Sequence, residues 1–171
     1  MTELDIQLDE NGKISKDDIV MYAGLYNNGL ISVLDVETAI KISNSWEWRF
    51  KKMFVPIIST AFGDLFLFCL ANGKIYFFQP QYNTSDLVTD NIRELFDKAL
   101  VHPSIKSGLL QENKFKEIYS THLHLKYGET YILKPWEMFG GKVEVNNYTK
   151  GGLYVYQTLV SQTIEKKHSQ E

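Results

Sequence analysis

The four histidines, His102, His122, His124 and His168, are the first side chains to weigh for metal or acid-base chemistry. His122 and His124 lie two apart, so they share a face only in a strand; on a helix they point roughly opposite ways and cannot chelate one metal. No His-Glu-x-x-His arrangement supplies further ligands. No Gly-x-Ser-x-Gly elbow marks a nucleophilic serine. Gly140-Gly141 and Gly151-Gly152 have neither the Walker nor the dinucleotide spacing, and read as backbone turns. Asp64 has the chemistry of a catalytic carboxylate but no second carboxylate in its local sequence. Its expected role is a turn residue whose side chain bonds nearby backbone N–H groups. Cys69 is the only cysteine, which excludes an internal disulfide; its mid-strand position reads as a buried, inert thiol. The expectation is a chain with no catalytic residue, no metal and no cofactor, and so not an enzyme.

Aromatic residues are the other candidates. Three Trp, ten Tyr and ten Phe are many for 171 residues. Trp46, Trp48 and Phe50 alternate with Glu47 and Arg49, while Trp136, Met138 and Phe139 fall in a loop. Two readings fit: core packing with loop anchoring, or an interface hot spot, since rigid aromatics supply much contact area at low entropic cost. The partner-binding candidates are Trp46, Trp48, Tyr82, Trp136, Met138 and Phe139.

These residues must be held by regular elements, and the plainest is a hairpin. Leu65–Leu70 and Ile75–Phe78 flank Asn72-Gly73, a strong hairpin signal. A two-residue type I′ turn would pair Ala71 with Lys74, Phe68 with Phe77 and Leu67 with Phe78. One face would carry Phe66, Phe68, Leu70, Ile75 and Phe77, the other Leu65, Leu67, Cys69, Tyr76 and Phe78. Both faces are apolar, so both must be covered, by helices or by a partner.

Around the hairpin, Asn11-Gly12 marks a turn and Ser15 with Asp18 a capping box for a helix to Tyr22. Tyr26-Asn27-Asn28-Gly29 is a turn before a strand over Leu30–Leu34. Asp35 caps a helix to about Trp46 with Val36, Ala39 and Ile40 inward. Phe54–Thr60 is a strand that Pro56 should confine to an edge or start late. Pro80–Thr89 reads as a polar loop. Ile92, Leu95, Phe96, Ala99 and Leu100 make a helical stripe, with Arg93-Asp97 and Glu94-Lys98 pairs outside and Pro103 ending it. A helix over 110–120, strands at Glu129–Leu133 and Val143–Val145, and a last helix from Gly151 or Gly152 complete the pass. That helix should bury Leu153, Tyr156, Gln157, Val160 and Ile164, and fray from Glu165. The class is α+β, a central, mostly antiparallel sheet built on the Asn-Gly hairpin with helices packed around it.

Composition bounds the function. The chain is 44% hydrophobic and 23% charged, as a globular domain is, with a net charge of −3. It lacks the basic stripe of a nucleic-acid binder, so no direct nucleic-acid partner is expected. No apolar run is long enough to span a bilayer, and Met1–Asp5 has no signal-peptide character, so the expected location is cytoplasmic with no membrane partner.

Several blocks together resemble a bacterial family: Gly24–Leu34, Ile57–Phe66, Gly108-Leu109-Leu110, Tyr131–Gly141 and Leu153–Leu159. Their order and spacing are similar to a GAD-like domain followed by the C-terminal domain of type VI secretion immunity proteins. The likeness treats residues 1–171 as a single domain, with a GAD-like part over 15–60 and an immunity-type part over 61–162. One departure is Met138-Phe139 ahead of Gly140-Gly141, where the family usually has a small aliphatic residue; this changes a loop surface. The resemblance implies an immunity protein that binds a cognate toxin, often a nuclease, and blocks it without chemistry of its own. Two alternatives stand beside it. One is an interaction or regulatory module of the same family without a toxin. The other is a small-molecule-binding domain, which would need a deep pocket with convergent polar groups and shifted titrations.

Overall fold

The apolar hairpin forms the centre of a six-stranded antiparallel meander. The computed structural model describes residues 23–169; the Asn11-Gly12 turn and the helix expected to end at Tyr22 lie outside the described residues. Strands β1 (Gly24–Tyr26), β2 (Ile31–Val33), β3 (Phe54–Thr60), β4 (Leu65–Cys69), β5 (Ile75–Gln79) and β6 (Thr84–Thr89) pair in chain order. Between β2 and β3 run helix α1 (Val36–Ser45) and the single turn α2 (Glu47–Phe50). After β6 come α3, which begins at Ile92–Glu94 and continues as π-helix over Leu95–Ala99, then α4 (Pro103–Ser107) and α5 (Glu112–Ser120). Strands β7 (Glu129–Leu133) and β8 (Tyr148–Gly152) form a separate two-stranded ribbon, and α6 (Leu153–His168) ends the fold.

The hairpin's two faces seed two cores. Phe66, Phe68, Ile75 and Phe77 pack with Ile92, Leu95, Phe96, Phe115 and Ile118 of the middle helices. Leu65, Leu67 and Phe78 pack with Ala39, Ile42, Trp46 and Phe50, and with Leu153, Tyr156, Val160 and Ile164 of α6. The result is helix, sheet, helix, as an apolar two-sided sheet requires. The expected face membership holds within the strands, but Leu70, expected on a covered face, lies in the loop and is exposed, and the register and turn differ. Phe68 faces Ile75 and Leu67 faces Tyr76, two positions earlier on β5 than a two-residue turn would give. The chain closes through the longer loop Leu70–Gly73, in which Gly73 N–H donates to the Cys69 carbonyl at 2.9 Å. Only Gly73 of the central pair has positive φ (+71°), and the Asn72 Oδ1 accepts from Lys74 N–H instead. A shift of two leaves every side chain on its own face, which is why the pattern survives the error.

Other expectations are corrected by local chemistry. Pro56 sits in an interior strand, accommodated by a bulge between Pro56 and Ile58 rather than by an edge. Pro80–Thr89 is a short 3-10 turn at Pro80–Tyr82 followed by the edge strand β6, whose solvated face made it read as a loop. On α1 the buried residues are Ala39 and Ile42, while Ile40 is exposed. Pro103 opens α4 as its first residue, where a missing N–H costs nothing. The strand expected at Val143–Val145 is a 3-10 turn at Val145–Asn147, and the pairing falls to the Gly-rich segment Tyr148–Gly152. The last helix buries the expected stripe and runs to His168 without fraying at Glu165.

Candidate functional site

The turn between β3 and β4 builds the floor of a cleft. Thr60 Oγ1 accepts from the backbone N–H groups of Phe62 and Asp64, both at 3.2 Å, and Gly63 N–H donates to the Thr60 carbonyl at 3.1 Å. Thr60 therefore satisfies the turn in the role that sequence reasoning gave to Asp64. The Asp64 carboxyl is left to point into the cleft, where it accepts no hydrogen bond from any described residue. The backbone N–H of Tyr131 and the hydroxyl of Thr130 both donate to the Ala61 carbonyl, at 2.7 and 2.9 Å, which docks β7 on the same turn.

The cleft holds about 60 Å³ and draws its walls from across the chain. Phe62 and Asp64 come from the turn, Gln79, Gln81 and Tyr82 from the end of β5, and Gln111 and Lys114 from the start of α5. Tyr131, Leu133, Glu137, Tyr148 and Tyr156 close the far side. Tyr131, Leu133 and Tyr156 are buried, whereas Tyr82 and Glu137 are exposed, so the cleft runs from an open mouth to a largely buried wall.

Burial dominates its electrostatics. Loss of hydration pushes the Asp64 carboxyl up to about 7, against the pull of Lys114 and with a further push from Glu137. Burial also lowers the Lys114 ammonium from its ordinary value, while Glu137 and Asp64 hold it up. That ammonium donates to Gln111 Oε1 and lies 5.2 Å from the centroid of the Phe62 ring, a cation–π contact. Burial raises Tyr148 to about 12 and Tyr156 further, so both phenols stay protonated. Tyr156 accepts from Gln81 Nε2 at 2.9 Å, and Met138 N–H donates to Gln81 Oε1 at 3.1 Å. Tyr82 is raised by burial and by its hydrogen bond to Glu137.

The aromatic candidates divide. Trp136, Met138 and Phe139 adjoin the cleft-lining Glu137 in the chain, with Trp136 and Met138 half-buried against the core under α6, and Tyr82 lines the mouth itself. The Trp136 and Phe139 rings stack at 5.8 Å, and Phe139 is 55% exposed and Tyr82 52% exposed. Lys167 at the end of α6 lies over Phe139, and the neighbouring His168 lies 5.9 Å from the Trp48 ring, which carries the surface on toward α2. Trp48 itself is half-buried and donates to Ser161 Oγ at 2.8 Å. Trp46 is separate from this surface. It is 0% exposed, donates to Gln157 Oε1 at 2.9 Å, and meets Phe78 edge-on at 4.8 Å, so it anchors the core. The sequence reading missed Lys114 and Glu137, which lie far from Asp64 in the chain and carry no local motif. Among the described residues, no group of three His, Cys, Asp or Glu could hold a metal ion. Nor is any helix of the described residues long and apolar enough to cross a membrane.

Residues 90–163 match the family model described as T6SS immunity protein Tdi1, C-terminal. This segment is similar to a type VI secretion immunity domain. The matched segment spans α3 to α6 and supplies Gln111, Lys114, Tyr131, Leu133, Glu137, Tyr148 and Tyr156 to the cleft. Phe62, Asp64, Gln79, Gln81 and Tyr82 precede the matched segment, so the cleft lies across its boundary. The crystal structure of Atu4351 from Agrobacterium tumefaciens is similar in fold, with a TM-score of 0.59 at 15% identity, covering 81% of this chain and 69% of that one. No curated protein matches the chain.

Proposed function

We propose that this chain is a cytoplasmic immunity protein that neutralises a cognate toxin by protein–protein contact, without catalysis of its own. The match of residues 90–163 to a type VI secretion immunity domain carries the reading. A single domain in which a GAD-like part over 15–60 and an immunity-type part over 61–162 share one sheet accommodates it. The contact surface in this reading is the mouth of the cleft, with Tyr82, Trp136, Met138 and Phe139, extended past Lys167 to Trp48. An exposed Phe139 stacked on the half-buried Trp136 beside a polar rim has the make-up of a hot spot, and Trp46 takes part only by supporting the elements beneath. The toxin in this reading is a nuclease, whose basic substrate-binding surface would complement a chain of net charge −3.

Co-purification with the effector encoded beside the gene tests the reading, followed by a nuclease-protection assay. A stoichiometric complex that abolishes cleavage is expected, and Phe139→Ala should weaken it by about 10-fold or more. A wild-type protein that neither binds nor protects against that effector overturns the proposal. The cleft favours a second reading, a small-molecule site, because it has the convergent polar groups and the shifted Asp64 that such a site needs. Its volume of about 60 Å³ weighs against a whole metabolite.

A further inference from the structure

We infer that the cleft is a socket for the cationic tip of one lysine or arginine side chain presented by the protein partner. The inference rests on the partner-binding reading above and adds where, and by what chemistry, the partner is held.

Three observations converge on a cation. The part-buried Asp64 carboxyl lines the cleft with no hydrogen bond from any described residue, so its acceptors are left to water or to a ligand. The charged groups lining the cleft are Asp64, Glu137 and Lys114, which leaves it one negative charge in excess when Asp64 is ionised. Lys114 does not cancel Asp64 by hydrogen bonding, because its ammonium is spent on Gln111 and on the face of Phe62. Finally, the walls are aromatic. Phe62, Tyr131, Tyr148 and Tyr156 surround the space, and rings beside a part-buried carboxylate are a favourable setting for an ammonium or guanidinium.

Size and continuity point to a side chain rather than a free compound. Pockets for whole small molecules hold roughly 300–1,000 Å³, far above the 60 Å³ here. A side-chain tip fits, and its backbone would then rest on the rim formed by the exposed Tyr82 and Phe139 and the half-buried Trp136. Among the described residues no third carboxylate, His or Cys joins Asp64 and Glu137, so a bare metal ion has too few ligands.

Calorimetric titration of the effector into wild type, Asp64→Asn and Glu137→Gln at pH 7.5 tests the inference. Loss of about 30-fold in affinity is expected for Asp64→Asn, and about 5-fold for the solvent-open Glu137→Gln. Asp64→Asn keeps shape and removes a part-buried charge, and its thermal midpoint establishes that it folds. Wild-type affinity should also rise between pH 6 and 8 as Asp64 ionises, in the presence of Lys114, Glu137, Tyr82, Tyr148 and Tyr156, and Asp64→Asn should lose that rise. In parallel, N-acetyl-lysine methylamide and its norleucine counterpart are titrated by NMR into the protein alone. Millimolar binding of the lysine probe alone, abolished in Asp64→Asn, supports the socket. Equal effector affinity for wild type and Asp64→Asn overturns the inference and leaves the proposed function standing. An effector that does not bind wild type removes both. A lysine probe that binds while the effector ignores Asp64 overturns the partner as occupant and assigns the cleft to a free amine.

Discussion

Gly63 shows how tightly the site is tied to single atoms. Its φ is +83°, a conformation that side chains rarely adopt, and a Cβ there would lie 2.5 Å from Cε1 of Tyr156. Tyr156 is both a wall of the cleft and a core residue under α6, so it cannot yield freely. Gly63→Ala should cost roughly 2–4 kcal/mol from backbone strain and overpacking together, read as a lower midpoint in urea. The carbonyl of the same residue accepts from Gln157 Nε2, and Gln157 Oε1 accepts the Trp46 indole N–H. Gln157 is fully buried, so Gln157→Leu leaves a buried donor and a buried acceptor unmatched. Chemical denaturation should show a loss of roughly 2–4 kcal/mol. If Gln157→Leu unfolds at the wild-type midpoint, the Trp46–Gln157–Gly63 chain is not a stabilising network.

At the level of elements, helix α1 begins where Asp35 Oδ1 accepts from Thr38 N–H at 2.7 Å. The other oxygen accepts from Tyr127 in the loop before β7, at 2.6 Å, so the cap also ties down a remote segment. Asp35→Ala should cost about 1 kcal/mol for the cap and raise hydrogen exchange around Tyr127; Asp35→Asn, which can still cap, should recover most of it. Asp35 and the stripe of α6 were legible in the sequence because their signals are local: a capping residue beside its helix, and a repeat of 3.6. The hairpin was legible in its faces but not in its register, since alternation specifies parity while loop length specifies pairing. Strand β6 escaped because its Thr, Ser and Asp residues face water at a sheet edge, and β8 because Lys150-Gly151-Gly152 resembles a turn. The cleft was the least legible feature. Asp64, Lys114 and Glu137 meet only after the sheet, α5 and the loop beyond β7 have packed, and no spacing in the chain records that meeting.

For the whole molecule, Asp64 couples the cleft to folding. Burial pushes its carboxyl up to about 7 in the folded protein, from an ordinary value of 3.8. Between those values the folded state holds a proton that the unfolded chain has released, so stability falls as pH rises through that window. The contribution of Asp64 is fully present below pH 3.8 and is lost by the time the pH passes 7. A difference of this size corresponds to on the order of 4 kcal/mol across the window. Lys114 and Glu137 face the same space and move the midpoint, but the direction is set by the burial of a carboxyl with no donor. Asp64→Asn removes the ionisation and should flatten this part of the stability profile, becoming more stable than wild type at pH 8 while differing little near pH 4. Equilibrium urea unfolding of both proteins at half-unit intervals between pH 4 and 8 measures the difference directly. Parallel profiles would mean that water or a neighbouring donor satisfies the Asp64 carboxylate, and a floor so satisfied would have no call for a cation from a partner. A protein that gives up stability at neutral pH to keep an ionisable group in its cleft has retained that group against the simpler choice of an amide, and the binding and stability profiles of one substitution test that trade from both sides.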